Sequence, residues 1–161
     1  MVVVSIYIQP YLVEYMRYKY PPSEKSDFIQ ISDKDDLYFV LNNLRMEKPK
    51  DALVNRGNFK FAVPSPRNSR NPEIYNHYSQ KAIKSIESRI NRMFRAEFHD
   101  FMDHRVDECG DSINEANILF CKIYKITEID PESLKKDYYR WRKKHRANRK
   151  IRPYNFQAKQ A

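Results

Sequence analysis

Residues 64–72 read PSPRNSRNP, and this stretch separates two halves of the chain that differ in how their apolar residues are spaced. It contains three prolines and no large apolar side chain, a composition typical of a loop or linker. Strand-like segments lie only before it, and the segments after it have the spacing of helices. The sequence therefore predicts an α+β fold with a small N-terminal β layer and an all-helical C-terminal half.

Three short segments before the linker are predicted to be strands. Residues 2–8 are rich in β-branched side chains, residues 27–32 are apolar between polar flanks, and residues 59–63 begin with alternating apolar and polar positions. β-branched and aromatic residues favour strands, and alternation places one face of a strand on a core. We therefore expect a three-stranded layer.

Two helices are predicted among these strands. Pro10 suits the first turn of a helix over residues 11–20, because its ring fixes φ and its missing N–H would have no partner there. Residues 35–46 repeat apolar side chains with a helical period after the capping candidates Ser32 and Asp33.

Beyond the linker, a long amphipathic helix is predicted. Asn71, Pro72 and Glu73 combine a candidate N-cap, a proline and an acidic residue, which together mark a helix start. Apolar side chains then recur every three or four residues as far as about Arg105. A set of basic residues could extend a phosphate-facing surface: Arg67 and Arg70 in the linker, and Lys81, Lys84, Arg89, Arg92 and Arg95 on this helix. Acidic residues in the same region balance them, so a solvated helix face is the favoured interpretation.

The chain is predicted to end in a pair of helices. Ser112 and Glu115 have the spacing of a capping box for a helix over residues 112–126. A short link, residues 127–130, precedes a last helix over residues 131–147, as in a helix-turn-helix arrangement. The predicted organisation is an α/β unit (1–63), the linker (64–72), a helical nucleic-acid-binding unit (73–149) and a basic tail (150–161).

The net charge of the chain is concentrated at its C-terminal end. The sequence has 30 Lys and Arg against 21 Asp and Glu, a formal charge of +9. Residues 138–161 hold nine of the basic residues and no acidic one, and removing nine from 30 leaves 21 of each sign in residues 1–137. A local cationic surface attracts polyanions through counterion release.

The last helix is predicted to hold a core with one face and to present cations on the others. Leu134, Tyr138, Trp141 and His145 share one face by their spacing. This arrangement is what a recognition helix in the major groove of DNA requires. The residues predicted to bind nucleic acid are Lys135, Lys136, Tyr139, Arg140, Arg142, Lys143, Lys144, Arg146, Arg149, Lys150 and Arg152.

Residues 112–146 resemble the helix-turn-helix region of bacterial DNA-binding regulators. In this resemblance Ile126 takes the apolar turn position, Leu134 takes the inner position of the second helix, and residues 139–141 form its body. Such motifs usually carry glycine in the turn, where this chain has Lys125 and a longer link.

A second resemblance concerns residues 6–14 (IYIQPYLVE) and 71–76 (NPEIYN), followed by the basic helical end. These features are similar to small proteins of bacterial mobile elements or phages. The segregated charge on the capped last helix leads to the hypothesis of a non-enzymatic DNA-binding protein, with DNA favoured over RNA. The resemblance implies a regulator or accessory factor of such an element. Tyr139 and Arg142 are expected to lie nearest to the base edges.

An alternative hypothesis is a structural or interaction protein whose basic tail docks on an acidic partner in a larger assembly. Under either hypothesis, the neutral, apolar N-terminal part is expected to serve oligomerisation or partner docking. Copurifying nucleic acid would favour the first hypothesis, and its absence together with self-association would favour the second.

The composition argues against cofactor, zinc and membrane classes. Gly57 and Gly110 are the only glycines and belong to no phosphate-binding loop, so no nucleotide cofactor is predicted. Cys109 and Cys121 form no C-x-x-C pair and are expected to be reduced thiols. Residues 2–8 are too few to span a bilayer, and no basic segment precedes them. We predict a cytoplasmic protein with no cofactor, metal or membrane partner.

Acidic and histidine side chains crowd the end of the long predicted helix. His99 with Asp103, and Asp100 with His104, are i,i+4 pairs that could hold a metal ion beside the basic surface, as a nuclease would require. The two pairs point about 100° apart on a helix, and no third ligand is identifiable. Surface ion pairing is the favoured interpretation, and no catalytic residue is predicted.

Overall fold

The computed structural model describes the backbone of residues 1–52 and 56–160 and the side chains of residues 1–52 and 56–146. Over these ranges the protein is α+β, as predicted, with five α-helices, one π-helical turn and a two-stranded antiparallel sheet. The elements are β1 (Val3–Ile6), α1 (Pro10–Lys19), α2 (Asp36–Asn43), β2 (Phe59–Ala62), α3 (Gln80–Asp103), the π-turn (His104–Glu108), α4 (Ile113–Ile123) and α5 (Pro131–Gln160).

The chain forms two compact units. The first contains Met1–Arg95 together with Tyr124–Glu128, and the second contains Ala96–Ile123 together with Ile129–Ala161. Residues 64–72, predicted to be a linker, lie within the first unit.

The sheet contributes one buried face to the first unit. Val4 lies opposite Phe61 and Ile6 lies opposite Phe59, and all four side chains are buried. They share one face because successive side chains of a strand point to opposite sides. A Cβ atom at Gly57 would overlap backbone atoms of Ile6. Only glycine therefore fits at position 57, where the chain passes close to β1.

Among the described residues, the strand predicted over residues 27–32 is not formed. Within residues 27–32 only Ile29 pairs, as an isolated parallel bridge to Phe61. Turns at residues 24–25 and 33–34 bracket this segment. Ile29 therefore forms the pairing with β2, through hydrogen bonds of its N–H to Lys60 and of its backbone oxygen to Ala62. The β layer therefore has two strands and one bridge in the part of the chain that the structure describes.

The long helix begins later than predicted. The backbone of His77 exchanges two hydrogen bonds with Met46, at 3.0 and 3.2 Å, and this extended pairing prevents a helix from starting at the linker. Ser79 is the actual N-cap, since its Oγ accepts a hydrogen bond from the N–H of Ala82 at 3.1 Å. The helix α3 accordingly starts at Gln80.

The predicted capping box of the next helix is confirmed. The N–H of Glu115 donates to Ser112 Oγ at 3.2 Å, and the N–H of Ser112 donates to Glu115 Oε2 at 3.0 Å. Hydrogen bonding from the backbone N–H of Ser112, and then from its side chain, lowers the pKa of the Glu115 carboxyl. The helix α4 ends at Ile123 rather than at residue 126, so the link to α5 covers residues 124–130.

Part of that link is held in the first unit by Glu14. Its carboxylate accepts hydrogen bonds from the N–H and Oγ of Thr127, at 2.9 and 2.6 Å, and from the N–H of Glu128, at 3.1 Å. The ring of Tyr124 lies beside Tyr18, with 4.4 Å between ring centroids. The link is therefore fixed by both polar and aromatic contacts.

Candidate nucleic-acid interface

The helix α5 is anchored in the second unit by one face. Leu134 and Tyr138 are buried, and the Tyr138 ring packs edge-on against Phe98. The Tyr138 hydroxyl donates a hydrogen bond to Asp103 Oδ1 at 2.8 Å. Burial and this hydrogen bond raise the pKa of Tyr138, so the hydroxyl stays a donor. The predicted core face is thus present at its first two positions.

A stack of three rings continues the same face. The Trp141 ring stacks with His99, at 4.5 Å between centroids, and with His145, at 4.8 Å, and both imidazoles are nearly parallel to it. His99 is only 8% exposed, and its Nε2 is hydrogen-bonded to Asp137 Oδ2 at 2.8 Å. Of the four residues of α5 predicted to face a core, Leu134 and Tyr138 are therefore buried, and Trp141 and His145 stack with other rings.

These contacts account for the predicted acid–histidine cluster. His99 is bound to Asp137, and Asp103 accepts a hydrogen bond from Tyr138, so both side chains fasten α5 in place. Among the described side chains no group of three or more His, Cys, Asp or Glu is arranged to hold a metal ion.

Two of the predicted cations are held by an acidic residue of the π-turn. Arg142 donates from Nη2 to Asp107 Oδ1 at 3.1 Å, and Arg146 Nη2 lies 3.9 Å from the same oxygen. The Arg142 guanidinium also lies over the Tyr138 ring, 5.8 Å from its centroid, and its side chain is only 20% exposed. Arg142 therefore contributes to the packing of α5 as well as to its charge.

Four other predicted cations are exposed and unpaired. We call them the α5 basic face: Lys136, Arg140, Lys143 and Lys144. None of them forms an ion pair with a residue whose side chain is described. Their spacing of three or four residues places them together on α5, on the side opposite Tyr138. Glu132 lies one turn before Lys136, and Asp137, which borders this face three residues before Arg140, is hydrogen-bonded to His99 Nε2 at 2.8 Å.

The remaining predicted residues occupy different positions. Tyr139 is 50% exposed and lies on α5 beside the α5 basic face, whereas Lys135 is half-buried. The side chains of Arg149, Lys150 and Arg152 lie outside the described residues.

One group of side chains was not predicted from the sequence. His104 Nδ1 is hydrogen-bonded to Glu108 Oε2 at 2.8 Å, and the Cys109 Sγ lies 3.7 Å from His104 Nε2. The i,i+4 spacing of His104 and Glu108 is the sequence feature that could have predicted this pair. All three residues are exposed, and solvated pairs of this kind contribute only about 0–1 kcal/mol.

Neither a family model, nor a curated protein, nor a solved structure matches this chain. The resemblance to helix-turn-helix regulators accordingly stays a prediction. Within the described residues, no helix has the length and apolar character needed to cross a membrane.

Proposed function

We propose that this protein is a non-enzymatic DNA-binding protein that contacts DNA through the α5 basic face. The proposal is supported by one observation above all: α5 is anchored by one face, and the four exposed cations on the opposite face have no acidic partner among the described side chains. No ion pair has to be broken when such cations meet phosphates, and the counterions released from DNA favour binding.

The α4–α5 pair is proposed to act as a helix-turn-helix. Lys125 in the link has φ of 55°, the left-handed conformation for which these motifs usually use glycine. In this arrangement α5 enters the major groove with Tyr139 and Arg140 towards base edges. Arg142, predicted to read bases, would first have to leave Asp107.

The biological setting is proposed from resemblance alone. Residues 6–14 and 71–76 are similar to small proteins of bacterial mobile elements or phages. On that basis we infer a regulator or accessory factor of such an element. From its composition we expect a cytoplasmic protein whose neutral N-terminal part serves oligomerisation or partner docking.

The test compares two variants with equal charge. In one, Lys136, Arg140, Lys143 and Lys144 are changed to Gln. In the control, the exposed residues Lys25, Lys34, Lys48 and Lys50 are changed to Gln. Each variant lowers the formal charge of +9 by four. Fluorescence anisotropy on a labelled DNA duplex in 0.1 M salt measures binding, and circular dichroism checks that both variants are folded.

We expect the α5 variant to bind at least about tenfold more weakly than wild type. The upper limit is about 4,000-fold, if each of the four cations neutralises one phosphate. The control should stay within about threefold, because its lysines lie elsewhere. Equal weakening of both variants would mean that net charge alone drives binding. No weakening of either would contradict the proposal and favour docking on an acidic protein partner.

A further inference from the structure

The exposed side of α3 in the first unit carries a second concentration of positive charge. An open groove of about 460 Å³ runs along it. The groove is lined by Lys81, Lys84, Ser85, Ser88, Arg89 and Arg92, and we call it the α3 groove. These residues recur at spacings of three and four, so they share one face of the helix.

The acidic residues of this region do not neutralise the α3 groove. Glu87 lies on another side of α3, where its Oε2 accepts a hydrogen bond from the N–H of Gln9 at 3.1 Å. Asp36 pairs with Arg89 alone, at 3.1 Å. On this side of α3 the positive charge is therefore balanced only in part, by the pair of Arg89 with Asp36.

Three cations of the groove have no ion pair with any described residue: Lys81, Lys84 and Arg92. Ser85 donates its hydroxyl proton to the backbone oxygen of Lys81 at 3.1 Å. The groove is therefore able to offer three cationic groups to an anion.

The length of the groove fits a nucleic-acid strand. The 11 residue-to-residue steps from Lys81 to Arg92 span about 16.5 Å at 1.5 Å per step. Phosphates of one strand recur about every 3.4 Å along the axis of DNA, so this distance covers about five nucleotides. A lipid-binding helix would place apolar side chains beside its cations, whereas only basic residues and serines line this groove.

We infer that the α3 groove is a second nucleic-acid site, which binds backbone phosphates and reads no bases. The inference rests on the proposed function, because it assumes that nucleic acid is the partner. Contacts to phosphates position a protein on DNA without reading sequence, which suits a surface of lysine, arginine and serine.

The experiment uses the full chain with Lys81, Lys84 and Arg92 changed to Gln. Its control changes Lys25, Lys34 and Lys48 to Gln, which removes the same charge from exposed positions elsewhere. Anisotropy on labelled duplex DNA is recorded over a series of salt concentrations. We expect the α3 variant to bind more weakly than its control, by up to about 500-fold at 0.1 M salt, with a log–log salt slope shallower by up to about 2.7.

The outcomes separate this inference from the proposed function. If the α3 variant binds DNA like its control while the α5 variant loses binding, the α3 groove is no nucleic-acid site and the proposed function stands. If the wild type binds no DNA, both fail. Sedimentation with vesicles containing phosphatidylserine adds a third result. Loss of vesicle binding with unchanged DNA binding would assign the groove to anionic lipid and overturn the inference.

Discussion

At the scale of single residues, Arg45 is a charged side chain buried in the first unit. Its side chain is 3% exposed and has no carboxylate partner among the described residues. Its Nη2 donates to Asn42 Oδ1 at 2.5 Å and to Ser69 Oγ at 3.3 Å, and its Nη1 donates to the backbone oxygen of Tyr75 at 3.4 Å. Burial lowers the pKa of Arg45. One guanidinium thus ties the proline-rich stretch to the end of α2.

We expect Arg45→Met to lower the free energy of unfolding by about 2–4 kcal/mol. The change keeps an apolar stem but leaves several polar groups without their donor, and unsatisfied buried groups are costly. Urea unfolding followed by circular dichroism measures the effect. Arg67→Met is the control, since Arg67 is exposed in the same stretch and its replacement should cost less than about 0.5 kcal/mol. Equal midpoints for both variants would mean that Arg45 does not hold the stretch.

Residue identity alone did not indicate which cations of α5 are available. The spacing of Lys and Arg predicted a basic helix, and the four residues of the α5 basic face are exposed. Arg142 was grouped with them although Asp107, 35 positions earlier, holds it. A pattern within one helix contains no information on an acidic residue contributed by a distant turn.

At the scale of elements, the sequence correctly predicted the helix starts that depend on residues close together in the chain. Pro10 does begin α1, and the capping box of Ser112 and Glu115 does begin α4, because a cap and its helix are neighbours in sequence. The start of α3 was misplaced because Met46 pairs with His77 across the fold, and such pairing overrides the local signature. The predicted strand over residues 27–32 failed for a related reason, since only one of its residues reaches β2.

The end of α4 provides a prediction at this scale. Lys125 adopts φ of 55° just beyond the helix, a conformation that costs a residue with a Cβ about 1–2 kcal/mol. We expect Lys125→Gly to raise the free energy of unfolding by about 0.5–1 kcal/mol, after the greater freedom of glycine in the unfolded chain is subtracted.

Thermal unfolding of Lys125→Gly and Lys125→Ala separates the backbone from the charge. Both substitutions remove the same exposed ammonium group, but only glycine relieves the strain at positive φ. An alanine variant at least as stable as the glycine variant would contradict this account of the link.

At the scale of the whole molecule, charge is the property that the sequence predicted best. The excess of basic residues in residues 138–161 is visible without a structure. For α3 the sequence favours a solvated face over a phosphate-facing one, because counting charges along the chain does not reveal that Glu87 lies on another side of the helix. Where acidic and basic residues alternate within one helix, the net charge of the region therefore does not indicate whether one side of the helix is cationic.

The central claim is that unpaired cations of this chain bind DNA phosphates, and its most direct test is the salt dependence of DNA binding by the full chain. Anisotropy on a labelled duplex is measured between about 50 and 300 mM salt. If about six phosphates are contacted, log K falls against log salt with a slope near −5. A slope near zero, or the same steep slope after the α5 basic face is changed to Gln, would contradict the claim.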